Sequence, residues 1–384
     1  MYGIVGGAGV PPVLFAQAGR LLYPRLFFTV WEVRTGCPRS QIRRITIMEE
    51  NPMKPLKISM GIWGNTNLAD RFNVKGFGEF MPVIDRIKQV GEIEGVDGIE
   101  LHLPTEIDES NADEIEKALN DYNLQMVQLC GHTWTEKQYK FGALGDSVPQ
   151  VRQNAVDRVK AALDMGARFN VPISVLWPAT DGNDFPLQTD YQALYDRYVD
   201  SVHKILDYLH QNNYKTKICI EPKPFEPRSY IMMGTTAQAL CIVNEVNDPH
   251  FGVNLDIGHS LIAKENVEDQ LSLIFRYKKL FHTHFNDNDQ QCDADLPPGT
   301  VNWNRLISFM YVLDQNEYDG WYGLDLFPYR DDPRKFIEIS RDNLHFAQRV
   351  VDRLNKKGAR QMRQAGLQGP EMAVLLRECI RQAI

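Results

Sequence analysis

At 384 residues the chain exceeds an ordinary single-core domain, yet it suits one large α/β barrel with extensions. Asp and Glu outnumber Lys and Arg by 50 to 42, and the net charge of -8 leaves no basic surface for a long nucleic-acid footprint. No run of about 18 apolar residues lies in the body of the chain, which excludes a helical membrane span there.

The segment 1–52 stands apart. It is apolar and arginine-bearing (Arg20, Arg25, Arg34, Arg39, Arg43, Arg44), and it reads as an appendage outside the fold, with a targeting segment as the alternative. From Lys57 onward, short β-rich runs alternate with longer amphipathic ones, the signature of βα units on a parallel sheet. The predicted strands are Lys57–Trp63, Gly98–His102, Gln125–Cys130, Ile173–Trp177, Lys217–Glu221, Gly252–Asp256, Leu280–Phe285 and Trp321–Leu326. Eight strands close a (β/α)8 barrel over 53–354. Between them lie helical patterns: Val151–Gly166, with apolar groups four residues apart and Gly166 closing it, then Tyr191–His210, Asn304–Gln315 and Phe336–Leu354. The remainder, 355–384, reads as a helical tail. Six cysteines (Cys37, Cys130, Cys219, Cys241, Cys292, Cys379) contain no CxxC pair, so buried free thiols and a reducing, cytoplasmic setting are expected.

Polar residues gather at the predicted strand ends: His102, Trp177, Glu221, Asp256, His284 and Asp325. A barrel builds its active site on that rim. Taken singly, an Asp at a strand end caps the next helix and a His is hydrogen-bonded core. Taken together, Glu221, Asp256, His284 and Asp325 are costly to desolvate on one barrel mouth unless a cation neutralises them. Oxygen and imidazole ligands suit Mn2+, Mg2+ or Co2+. A second set follows in His259, Asp293 and Asp295, whose carboxylates can turn toward one ion. The competing reading is a solvated acidic loop, since Asp287, Asn288 and Asp289 crowd the same region.

The run Glu221-Pro222-Lys223-Pro224-Phe225-Glu226-Pro227 resembles the end of the fifth strand in the xylose isomerases. The likeness continues through Gly252–His259, Leu280–Asn286 and Asp293-Ala294-Asp295, in that family's order. The resemblance implies a (β/α)8 TIM barrel with a C-terminal helical extension, acting as an aldose–ketose isomerase on a monosaccharide such as D-xylose. It implies two divalent cations per subunit: one held by Glu221, Asp256, His284 and Asp325, the other by Asp256, His259, Asp293 and Asp295. It also implies that Lys223 bonds the carbonyl oxygen and His102 the ring oxygen, with Glu221 and Asp325 counted in the catalytic set. Trp63, Trp134 and Trp177 would form an apolar wall, Asn254 would contact substrate, and Phe72 would enter a neighbouring subunit's site in a homo-oligomer, dimer or tetramer.

This chain departs from the xylose-specific pattern at His284 and Asp256, a combination closer to the L-rhamnose isomerases and the ketose epimerases. It also has Thr105 where the family places an Asp that orients the ring-opening His. A ketose 3-epimerase is therefore the second reading, and it has no need of Lys223 or of Asp293 and Asp295. A barrel endonuclease needs a basic groove that a net charge of -8 opposes. A sugar-binding barrel without turnover is disfavoured by the intact ligand set.

Overall fold

The computed structural model describes residues 29–34, 42–47, 52–366 and 369–384. Cys37 and most of the segment read as an appendage or targeting sequence lie outside the described residues. The chain divides into two compact units, Lys54–Gln348 and, separately, the described residues up to Met53 with Arg349–Ile384.

The first unit is a closed barrel of eight parallel strands: β1 (Lys57–Gly61), β2 (Gly98–Leu103), β3 (Gln125–Gly131), β4 (Ile173–Leu176), β5 (Lys217–Ile220), β6 (Phe251–Asp256), β7 (Leu280–Phe285) and β8 (Trp321–Leu324). They follow one another in chain order, and β8 pairs with β1 to close the ring, Gly323 opposite Ser59. The fold class expected from the alternation is the one observed, with small differences at the edges. β1 stops at Gly61 because Ile62–Gly64 winds into a 3-10 turn. β5 stops at Ile220 where the proline-rich run begins, since Pro222 has no N–H to offer the ladder. Trp177, Glu221 and Asp325 consequently sit one residue beyond their strands rather than inside them.

Between strands run Val83–Gly91, Ala112–Asp121, Pro149–Arg168, Tyr191–Gln211, Thr236–Val246, Val267–Arg276 and Trp303–Gln315, and Pro333–Lys356 follows β8. Asp190, Thr235 and Asn266 cap three of them through side-chain oxygens, satisfying N–H groups that the helix itself cannot. Gly166 does not close its helix, which runs on to Arg168; it lies buried in the last turns, where Val171 packs over it. Ile58, Met60, Ile99, Leu101 and Leu103 are buried alternately with the polar Ser59, Glu100 and His102. Successive side chains of a strand point to opposite faces, so the apolar set and the polar set occupy opposite faces of the sheet.

In the second unit Thr29–Arg34 pairs antiparallel with Ile42–Ile47, and the helices Ala359–Gln364 and Gly369–Ala383 follow in the tail. Among the described cysteines all are free thiols, but only Cys130, Cys219 and Cys379 are buried. Cys241 and Cys292 are exposed, one on a helix surface and the other in the loop after β7. Among the described residues no helix is long and apolar enough to cross a membrane.

Because β8 closes on β1 within Lys54–Gln348, a chain beginning at Met53 is expected to keep the main calorimetric transition. Its melting temperature should stay within about 3 °C of the full chain, the shift that roughly 1 kcal/mol produces. A larger fall would show that the appendage contributes to barrel stability.

Candidate metal centre

The residues expected at the rim converge. Glu221, Asp256, His284 and Asp325 each offer a ligand atom, and these atoms all lie within 4.8 Å of one another. Strand register sets this up, since Asp256 on β6 stands opposite His284 on β7 and His284 opposite Gly323 on β8. Asp256 also caps the short helix Ile257–Ile262, accepting from His259 N at 2.8 Å through Oδ1 while Oδ2 accepts from Asn286 at 2.9 Å. The capping and the clustering readings therefore hold together. Gly258 permits this turn, because a Cβ there would lie 1.9 Å from Asn286 Oδ1.

Burial pushes the Asp256 carboxyl up to about 7, with Asp293, Glu221 and Asp325 adding to the effect. Burial raises Asp295 and Asp325 as well. It would also raise Glu221, but His284 and His259 outweigh it and bring that carboxyl to about 2. For the imidazoles burial works the other way and loses: Asp256 and Asp293 lift His259 to about 9, and Glu221 and Glu100 lift His284 well above its ordinary value. Acids that resist ionising sit beside imidazoles that hold protons. A divalent cation relieves both, and oxygen and nitrogen donors of this kind fit one.

The second acidic set adopts a different arrangement. Asp293 Oδ2 lies 2.7 Å from Lys223 Nζ and 3.0 Å from His259 Nε2, while its Oδ1 is buried with no hydrogen-bond partner. Asp295 accepts from Asn286 at 3.3 Å. Among the described residues His259, Asp293 and Asp295 do not draw together as tightly as the first four. The solvated-loop alternative does not describe Asp287 and Asn288. Both are buried, and Asp287 anchors the loop by accepting from Val301 N, Asn302 N and the Asn302 side chain.

An aromatic wall flanks the cluster. Trp63 donates to Asp325 Oδ1 at 2.8 Å and stacks on His102, ring centroids 4.4 Å apart. His102 meets Trp134 edge-on, Trp134 meets Trp177 edge-on, and Lys223 Nζ lies 5.3 Å from the Trp177 ring. Asn254, expected to contact substrate, is fully buried beneath the cluster; it donates to Glu221 Oε2 at 2.9 Å, and its amide nitrogen lies 3.0 Å from His284 Nδ1. Phe72 is 83% exposed on the loop after β1.

Several contributors escaped the sequence reading. Glu106, not residue 105, stands behind His102: its Oε2 accepts from His102 N at 2.9 Å and lies 3.3 Å from Nδ1. Glu106 in turn faces the buried Arg86, which donates to the Ile62 carbonyl at 2.8 Å. Thr105 instead bonds His132 Nδ1 at 2.6 Å, and His132 stacks on Trp134. Glu100 and His282 lie fully buried below His284. The available signal was strand alternation, because Glu100 stands two residues before His102 and His282 two before His284.

A family model described as xylose isomerase-like TIM barrel matches residues 87–350. A xylose isomerase from Thermus thermophilus is 24% identical over 280 residues, covering 70% of this chain and 72% of its own length. Another from Thermus caldophilus is 25% identical over 236 residues, covering 59% and 61%. Among solved structures a D-tagatose 3-epimerase-like protein superposes with a TM-score of 0.59 at 17% identity, over 77% of this chain and 100% of that one. A family 2 AP endonuclease from Brucella melitensis superposes at 0.56 with 19% identity, over 73% and 96%. At these identities the structural likenesses establish the fold alone.

Glu106 carries the expectation from this geometry. Glu106→Ala strands Arg86 as an unpaired buried cation, which should cost about 3–5 kcal/mol in denaturant unfolding. A loss below about 1 kcal/mol would mean that Arg86 reaches water on its own.

Proposed function

Because the chain belongs to the xylose isomerase-like TIM barrel family, we propose that it is a metal-dependent aldose–ketose isomerase, converting a sugar such as D-xylose into its ketose, D-xylulose. The observation that carries the reading is Lys223, whose ammonium is buried against Asp293 beside the four-residue cluster. Glu221, Asp256, His284 and Asp325 would hold one divalent cation (Mn2+, Mg2+ or Co2+) and Asp256, His259, Asp293 and Asp295 a second, and bound there they would supply Lewis-acid polarisation of sugar oxygens.

The chain's own groups do the rest. Lys223 donates to the carbonyl oxygen, where negative charge grows in the transition state. The C2–H bond breaks with its electron pair, a C1–H bond forms, and the C2 hydroxyl proton passes to the former carbonyl oxygen. Burial raises no obstacle to the charge on Lys223: it lowers the lysine's affinity for its proton, but Asp293 and Asp295 more than reverse that. His102, held by Glu106, handles the proton at the ring oxygen during opening. Trp63, Trp134 and Trp177 exclude water, which favours transfer of hydrogen with its electrons over exchange with solvent. Homo-oligomerisation as a dimer or tetramer belongs to the same proposal, since Phe72, Val74 and Phe80 are exposed on one loop.

A ketose 3-epimerase is the second reading, favoured by the compactness of the four-residue group relative to the second set. There Glu221 and Asp325 would exchange the proton at C3 around a single ion, and Lys223 would have no chemical task.

Chelation should abolish turnover of aldoses, and Mn2+, Co2+ or Mg2+ should restore it; full turnover by exhaustively stripped protein would remove the proposal. Lys223→Met should lower kcat about 100-fold or more with little change in KM, as loss of one oxyanion donor does. Asp295→Asn should slow turnover while the first group keeps its ion. Near-normal rates in both variants, with solvent deuterium appearing at C3, would move the assignment to the epimerase.

A further inference from the structure

Beneath the cluster the barrel interior carries a layer of polar side chains that the proposed chemistry does not use. Glu100 on β2 is completely buried. Its Oε1 accepts from Ser59 Oγ at 2.6 Å and faces His282 Nε2 at 3.1 Å, and its Oε2 faces His284 Nε2 at 3.0 Å. An ionised carboxylate only accepts, so both imidazoles must present N–H at Nε2. For His284 this leaves the other nitrogen, Nδ1, on the side where Glu221, Asp256 and Asp325 lie 3.4, 4.0 and 3.8 Å away.

We propose that Glu100 is the positioning residue of the metal centre: by accepting from His284 Nε2–H it holds that ring in the one tautomer whose Nδ1 lone pair can ligate. The inference rests on the reading of the four-residue group as a cation site. Space for the layer comes from β8. Gly323 stands opposite His284, and a Cβ there would lie 2.5 Å from Glu100 Oε1, 2.9 Å from His284 Cδ2 and 3.0 Å from His282 Nε2. Asn254 completes the support on the other side, its amide nitrogen donating to Glu221 and lying 3.0 Å from His284 Nδ1. A bound cation would take the Nδ1 lone pair, leaving Asn254 to orient Glu221.

A carboxylate suits this position because two imidazoles and a hydroxyl all point donors at it. Glutamine has one acceptor and one donor group. It can serve His284 only by turning its NH2 toward His282, whose proton must then move to Nδ1, an atom buried with no partner. Methionine, of similar length, accepts from neither.

The test is Mn2+ affinity of the full chain, measured by electron paramagnetic resonance and calorimetry with no substrate present. Glu100→Met should bind about 10- to 100-fold more weakly, the usual consequence of removing a partner from a ligating imidazole, with Glu100→Gln between it and the unaltered protein. Because Glu100→Met strands two other donors, the second measurement uses the unaltered protein alone. In its Mg2+-loaded form the 15N shifts of His284 should give a protonated Nε2 and an unprotonated Nδ1. Folded Glu100→Met that binds Mn2+ as tightly as the parent, or a His284 protonated at Nδ1 in the loaded protein, overturns the proposal. No Mn2+ binding by the parent would instead overturn the cation reading itself, and this inference with it.

Discussion

Everything at the barrel mouth follows from one electrostatic constraint: too many carboxylates occupy too little solvent. Glu221, Asp256 and Asp295 are buried, the Asp293 carboxylate nearly so and Asp325 mostly so, and the cations nearby are Lys223 and the two imidazoles His259 and His284. Without a further positive charge the site divides its protons unevenly. Asp256, Asp295 and Asp325 are pushed upward by burial, while Glu221 and Asp293 stay ionised against histidine and lysine. Such uneven division is how buried acids behave when neutralisation by a counter-ion is unavailable. The same residues with a cation among them could all ionise, and the protons on His259 and His284 would have to leave for their nitrogens to ligate.

That constraint explains why the barrel must be so well made here. A closed ring of parallel strands fixes neighbouring side chains by register, so Asp256 and His284 are adjacent whatever the loops do. The loops then supply Glu221 and Asp325, each one residue past its strand, where an ungoverned backbone would let the acids swing apart. Trp63 pins Asp325 with its indole N–H, and Asn254 pins Glu221 from below. Repelling groups are thus held together by neutral donors whose own hydrogen bonds would otherwise go unmade.

How much of this could be read from the chain alone differs by level. Alternation of β-rich and amphipathic segments located all eight strands within a few residues, because each strand must be apolar toward its helices and each helix apolar toward its strands. The four-residue cluster was legible because barrel chemistry collects at strand ends. Glu106 was not legible, since the family pattern places the acid three residues past His102, where this chain has Thr105, while here the fourth residue reaches the ring. Asn254 lies two residues before Asp256 on the same face of β6, and its bond to Glu221 depends on how β5 and β6 are set side by side, which the sequence does not display. Glu100 and His282 had only an indirect signal, their two-residue spacing from His102 and His284, because strands buried on both faces read as continuous core. Gly323 has no signal in one dimension; its role exists only because Glu100 and two histidines crowd the space where its side chain would be.

The interior layer and the rim are therefore two halves of a single device joined through His284. Toward the rim its Nδ1 meets acids that need a cation, and toward the interior its Nε2 meets an acid that needs a donor. If both nitrogens kept protons, the rim would gain hydrogen bonds but lose a ligand. If Nε2 lost its proton, Glu100 would face a lone pair at 3.0 Å in a medium with no water to intervene. Of the two neutral tautomers only one satisfies both sides, and the interior acid selects it by keeping the Nε2 proton when the Nδ1 proton gives way to an ion. The ring is then oriented by contacts formed on folding, so binding need not order it, which is the ordinary route by which a preorganised site gains affinity.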